Sequence, residues 1–473
     1  MSTGGFSSIL KIADLDDFIT PSQECIKPVE RPKITQPSVS GSKIRIEIED
    51  DGTYSQIKEG IREPLQKVQV TLADCLACSG CITSAESVLI SQQSPDELFR
   101  ILELNKTTND TKAIVSLGVQ AVLSVANKYN ISCQEGGERL AGMFAELGAD
   151  YTTVVTVAED LSLIESYNEF REAFKNGNVP ILAGVCPGWI CYSEKLHQHA
   201  LPKISKVKSP QQIMGSLVKL IYGKKNDISP DQIYHISLMS CFDRKLEASR
   251  TDFFIEEYKA KEVDVVITPI EIEQIFSTMN KSLEDFERVP LMDLFSKGDI
   301  GTPIPNYQIM SHIGSGSGGY AEFIMRRIAK SLGQELGDIE WKVGRNPDIT
   351  EAALTGSDGK PIKFSIATGF RNIQTLVRKL KAKTTMPHYV EIMACPTGCL
   401  NGGAQVRPAN VEATQSRELS AKLEQEYRNL PPVQDTLAAE TIYETIQNDP
   451  KLFSHVLYTE FHPVEKTNLG MKW

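Results

Sequence analysis

Three cysteines at two-residue gaps, Cys75-Leu-Ala-Cys78-Ser-Gly-Cys81, form the sharpest chemical signal in the chain. That spacing lets one loop wrap an inorganic cube, each thiolate meeting a different iron, as in the C-x2-C-x2-C part of bacterial ferredoxin runs. The usual continuation C-x3-C-P is missing, so a fourth ligand must come from elsewhere. Cys25, in Glu24-Cys25-Ile26-Lys27-Pro28, is the only other cysteine in this region. Four thiolates also satisfy tetrahedral zinc. Zinc sites more often use separated C-x2-C pairs, and the triple run favours an iron–sulfur cluster.

A second pair, Cys395-Pro-Thr-Gly-Cys399, sits in EIMACPTGCLNGGAQ beside Gly398, Gly402 and Gly403. Glycine removes side-chain obstruction, so backbone can approach a bulky inorganic group and offer N–H donors to its sulfides. Cys186, Cys241 and Cys395 each follow a short apolar run predicted to be a buried strand: residues 179–185 (VPILAGV), 233–239 (IYHISLM) and 389–394 (YVEIMA). Ligands in open α/β sheets bind beyond the carboxyl ends of strands, so cysteines remote in sequence can converge there.

These ligands need elements to carry them. Residues 43–49 (KIRIEIE) alternate as a strand, 31–42 read as an irregular linker, and 68–72 as a short strand before the cysteine run. After Pro95 helical and stranded patterns alternate, which implies α/β layers. Ser209 opens a helix with Pro at the first position and Gln three after the cap. Residues 263–268 (VDVVIT) predict a strand with a helix from about Ile270. From Arg417 the text turns helical and ends in an open tail. The expected organisation is a cluster module at 1–95, a two-lobed α/β body at 96–412 and a helical segment with tail at 413–473.

The 473 residues carry a formal charge of −11, which argues against a nucleic-acid or anionic-membrane surface. No run reaches the ~18 uninterrupted apolar residues of a membrane span, and the acidic first residues do not suit a secretory or mitochondrial leader. Ten cysteines in a chain so read point to metal or cluster chemistry rather than disulfides.

VCPGW (185–189), LMSCFDRKLE (238–247) and EIMACPTGCLNGGAQ (391–405) resemble, in order, the three cysteine motifs of iron-only hydrogenases, and KSPQQIMG (208–215) resembles another segment of that fold. The opening DLDDFITPSQECIKPVE and the run CLACSGCITSAE resemble the eukaryotic hydrogenase-like branch of cytosolic iron–sulfur protein assembly, the nuclear prelamin A recognition factor-like family. The resemblance implies a 4Fe–4S cluster on Cys186, Cys241, Cys395 and Cys399, beside the N-terminal one on Cys25, Cys75, Cys78 and Cys81. It implies partners among cytosolic scaffold and targeting-complex proteins, in the cytoplasm and nucleus, and a helical small-subunit-like end. The chain departs from hydrogenases where it has Val185, Ser240 and Arg244 in place of a cysteine, a proline and a lysine. Valine cannot relay a proton and arginine does not deprotonate, so hydrogen turnover is not expected. The alternatives are a redox enzyme and a zinc-held interaction scaffold.

Other features have plainer readings. Cys133 and Cys191 match no ligand position and read as small buried apolar residues. The histidines lack metal-ligand spacing. Gly314–Gly319 could cradle phosphate, but it lacks the ending of a P-loop, so close packing is the reading kept. Trp473 would suit capture by a partner, and equally an incidental aromatic in a loose tail.

Overall fold

The runs rich in β-branched residues form strands, and the longer periodic runs between them form helices. The computed structural model describes residues 45–48, 54–58, 61–64, 84–108, 110–295, 300–344, 346–407, 413–433 and 437–464. Cys25, Cys75, Cys78, Cys81, the linker at 31–42, the strand predicted at 68–72 and Trp473 lie outside these residues. The alternating stretch near residue 45 forms β1 (Arg45–Ile48), antiparallel to β2 (Tyr54–Lys58), which pairs in turn with β3 (Ile61–Pro64).

Further along the chain come β4 (Lys112–Leu117), β5 (Tyr151–Val154), β6 (Ile181–Leu182) and β7 (Ile233–Leu238). β8 (Phe254–Ile255) and β9 (Ala260–Lys261) make a small ribbon, followed by β10 (Val265–Ile267). A second ribbon joins β11 (Met292–Asp293) to β12 (Ile304–Pro305). Last are β13 (Lys342–Val343), β14 (Ile349–Thr355), β15 (Pro361–Thr368) and β16 (Tyr389–Met393). One sheet is wholly parallel, in the order β10-β7-β4-β5, and the other runs β13-β14-β15-β16-β6. In the second, β15, β16 and β6 are parallel, while β13 and β14 add an antiparallel edge.

The parallel strands are apolar on both faces because helices cover both. Buried residues gather into three large groups. One surrounds β16 and includes Trp189, Phe364 and Tyr389; the other two lie around the first sheet. The C-terminal helices complete these groups. Ala413–Arg428 contributes Leu423 and Tyr427, and Leu437–Ile446 contributes Ala439, Ile442 and Ile446.

Two local readings change. The run at 179–185 pairs as a strand only over Ile181–Leu182, because the chain must leave the sheet edge to reach Cys186. The tail is also less open than expected: Pro450–Leu457 is a helix that buries Val456 and Leu457. Its signal was Asp449 before Pro450, since the Asp449 carboxylate accepts from the Lys451 and Leu452 N–H groups at 3.0 and 3.1 Å. Among the described residues no helix is long and apolar enough to cross a membrane.

Ile442 and Leu457 are fully buried against the first sheet. Ile442→Ala or Leu457→Ala should each cost about 2–5 kcal/mol. The check is a lower denaturant midpoint, with iron content per folded molecule unchanged.

Candidate metal centre

Cys186 is the N-cap of helix Pro187–Leu196, just beyond β6. Cys241 lies in the turn between β7 and helix Asp243–Ala248. Cys395 follows β16, and Cys399 opens the 3-10 turn Cys399–Asn401. In the first sheet Leu117, Leu238 and Ile267 end in register, and Met239 N–H still donates to Ile267 O at 2.9 Å before the chain turns to Cys241. β6 and β16 are neighbours in the second sheet, so Cys186 and Cys395 emerge side by side. The three predicted strand-end cysteines therefore meet at one place, each sheet delivering its own.

The contacts between these loops are direct. The Ala394 N–H donates to Cys186 Sγ at 3.3 Å, although the residues are 208 apart in sequence. Backbone N–H groups of Trp189 and Gly403 point to the Cys186 and Cys395 sulfurs respectively. Burial raises the pKa of all four thiols, Cys399 to about 12. The thiols also raise one another: Cys186 and Cys399 act on Cys395, and Cys395 and Cys399 act on Cys241. Such groups are protonated when metal-free at neutral pH, and loading a metal would expel their protons. Cys241, Cys395 and Cys399 keep part of their surface bare. They are nevertheless deeply set, and Cys399 faces an interior cavity of ≈ 60 Å³. Four desolvated thiols, two of them already accepting N–H···S bonds, are a donor set that fits an iron–sulfur cluster. A single zinc would draw its sulfurs to within about 4 Å of each other. Among the described residues no three His, Cys, Asp or Glu side chains form a group suited to one ion.

The glycines act through space. A Cβ on Gly318 would stand 2.0 Å from Glu391 Oε1, and one on Gly402 would stand 2.4 Å from Ser240 O. The glycine stretch at 314–319 is thus a packing device, as the sequence suggests. Glu391, within β16, holds it by accepting from Gly319 N–H at 3.1 Å and Ala321 N–H at 2.8 Å. Burial lifts this carboxyl to about 7, against the pull of those N–H groups.

Sequence reasoning gave no role to Glu159, His312 or Tyr320 in the wall of the cavity. Val185, Ser240 and Arg244 line it, together with Gln211, Glu159, His312 and Tyr320. The Arg244 guanidinium donates to Glu247 at 2.6 Å, and Gln211 Nε2 donates to both Arg244 O and Glu247 Oε2. Burial opposes the Arg244 charge, but Glu247 beside it holds it on. Lys245 turns away from the thiols and pairs with buried Glu271 at 2.8 Å, tying the helix after Cys241 to the next. His312 lies 2.9 Å from Asp160 Oδ1 and 3.4 Å from Glu159 Oε2. The Glu159 contact is not a hydrogen bond, since Oε2 has no such partner, but its charge still acts. No signal marked His312, because its carboxylates lie more than 150 positions away. Cys133 is buried at a helix start, as read, and Cys191 is half-buried beside Phe242 and Leu246.

Residues 111–403 match the family described as iron only hydrogenase large subunit, C-terminal domain. The FeFe-hydrogenase HydA1 from Chlamydomonas reinhardtii, in an apo variant, superposes with a TM-score of 0.66 at 22% identity, covering 78% of this chain and 98% of that one. The fold is therefore hydrogenase-like. A probable cytosolic Fe-S cluster assembly factor of Culex quinquefasciatus is 46% identical over 486 residues, 99% of each chain. The cytosolic Fe-S cluster assembly factor narfl of Xenopus tropicalis is 42% identical over 485 residues, again 99% of each. The chain belongs to this family of iron-only hydrogenase-like assembly factors.

Burial works against the charge on His312, but Asp160 and Glu159 outweigh it and hold its pKa up to about 10. A raised histidine pKa adds stability that is complete below its unfolded value of about 6.5 and fades as pH rises towards 10. His312→Gln should lower stability at pH 6 and flatten the decline between pH 6.5 and 10, read from denaturant midpoints. An unchanged slope would contradict the ion triad.

Proposed function

We propose that the chain works in cytosolic iron–sulfur protein assembly, carrying two 4Fe–4S clusters and bridging scaffold and targeting complexes towards cytosolic and nuclear proteins. One cluster is assigned to Cys25, Cys75, Cys78 and Cys81, the other to Cys186, Cys241, Cys395 and Cys399. The observation that carries the reading is the meeting of these last four thiols between two sheets. The names of the relatives support the cytosolic role. A loaded cluster would supply electron-carrying capacity or a transferable cargo.

Against hydrogen turnover stands the chemistry of the cavity wall. Val185 has no proton to relay, and Arg244, clamped by Glu247, is a fixed cation. We read the chain as a carrier rather than an enzyme. A zinc-held scaffold is the second reading.

Anaerobic purification with iron, sulfide and zinc determination tests all three classes. The expected result is a brown protein with iron and sulfide near equal, little zinc, and no hydrogen evolution from a strong reductant. Cys241→Ser or Cys395→Ser should lose about half the iron and unfold at lower temperature, since ligation and folding are linked when ligands come from distant loops. Wild-type iron and stability in both variants would overturn the assignment.

Docking of a targeting partner through Trp473 belongs to the same reading. Deleting Trp473 should abolish copurification of the targeting proteins while leaving iron content intact, and full recovery would remove that role.

A further inference from the structure

The chain is acidic overall, yet residues 370–388 hold Arg371, Arg378, Lys379, Lys381 and Lys383 without one Asp or Glu. All five are exposed, and none forms an ion pair among the described residues. Arg371, Arg378, Lys379 and Lys381 ride on helix Phe370–Lys381, with Lys383 in the turn that follows; the other face of the helix buries Ile373, Leu376 and Val377 in the core, so the helix cannot turn its charges inward. Several exposed cations elsewhere are paired with carboxylates, as in Arg100–Glu97, Lys281–Glu146 and Arg288–Glu138. This stretch is distinguished by five cations in sequence with no acidic residue among them.

Beside this helix opens a groove of ≈ 560 Å³. Its floor includes Val179, Pro180, Leu380 and Met386, and its rim Lys203, Lys381, Lys383 and His199. No carboxylate lines it. Among the described residues Lys203 is hydrogen-bonded to an amide, Asn178 Oδ1 at 2.8 Å, and to no carboxylate. The neighbouring histidines are disfavoured as cations, mainly by burial. His197 is depressed to about 4, by burial first and then by His199 and Lys381. His388 is also lowered, by burial and then Lys363.

We propose that this groove docks an acidic peptide segment of a partner protein, with one apolar side chain seated on the floor and flanking carboxylates on the lysine rim. Charge complementarity selects the sign, and the apolar floor selects an anchored peptide over a diffuse anion. Single-stranded nucleic acid would need aromatic faces for its bases, and no Phe, Tyr or Trp lines the groove. The proposal stands on this surface alone and does not depend on which cluster is bound elsewhere.

The test uses full-length protein purified anaerobically and a short fluorescein-labelled peptide of Asp and Glu with one central Leu, followed by anisotropy. Binding should weaken with salt. It should fall about tenfold in Lys381→Glu/Lys383→Glu, and also in Thr384→Glu should the double variant fold poorly. The distant Lys106→Glu should bind as wild type, with iron content unchanged throughout. Replacing the peptide's Leu by Ser should also weaken binding. Wild-type affinity in the groove variants, equal affinity for the Ser peptide, or tighter binding of a single-stranded oligonucleotide would each overturn the proposal.

Discussion

The geometry turns on the need to bring four buried thiols, from three loops and two sheets, to one point. Each thiol is individually costly to ionise there, since burial and its neighbours oppose the thiolate. A positively charged group taken into the proposed site would offset that cost and let the thiols release their protons. Much of the surrounding structure follows from that requirement. β6 stops after two residues so that Cys186 can reach Cys395, and the Ala394 N–H closes the joint. Glycines stand where any Cβ would push the loops apart.

Loops that hold four thiols close to one another need rigid supports, and the chain supplies buried ion pairs. Lys245–Glu271 and Lys208–Glu262 are almost wholly removed from solvent. Buried pairs gain little net stability against well-packed apolar residues, but losing one partner strands a charge at a cost of about 3–5 kcal/mol. Their effect is to permit one arrangement and penalise the rest. The Glu271 carboxylate shows this economy of placement: it accepts from Thr268 N–H and Oγ1 as the cap of its own helix, and binds Lys245 from the helix beyond Cys241. Lys208 likewise bonds Ser216 Oγ, joining the loop before one helix to that helix.

The sequence disclosed what is local or periodic. The β7 and β16 strands and the Ser209 cap were all legible, because each is written within about a dozen residues. Convergence of Cys186, Cys241 and Cys395 was legible as a rule about strand ends. The partners of His312, the Lys245–Glu271 pair and the anchoring of the glycine loop by Glu391 were not. Each links residues brought together by sheet order alone, and an isolated glutamate in an apolar strand resembles any other. The helix Pro450–Leu457 has a local signal in Asp449-Pro450, but at eight residues its apolar period is too short to stand out.

The polar wall beside Cys399 bears on what the fold does with its interior. Proton-transfer chemistry works best with groups whose pKa lies near the working pH. Arg244 is a permanent cation fixed to Glu247, His312 stays protonated up to about 10, and burial raises the Tyr320 hydroxyl beyond its ordinary value. Glu391 does sit near 7, yet its two oxygens are engaged by the Gly319 and Ala321 N–H groups, where they brace a loop. Charge around the cavity is therefore held still rather than passed on. A wall of that kind offers few groups able to pass a proton at neutral pH, in keeping with the proposed role of the interior as a holding site.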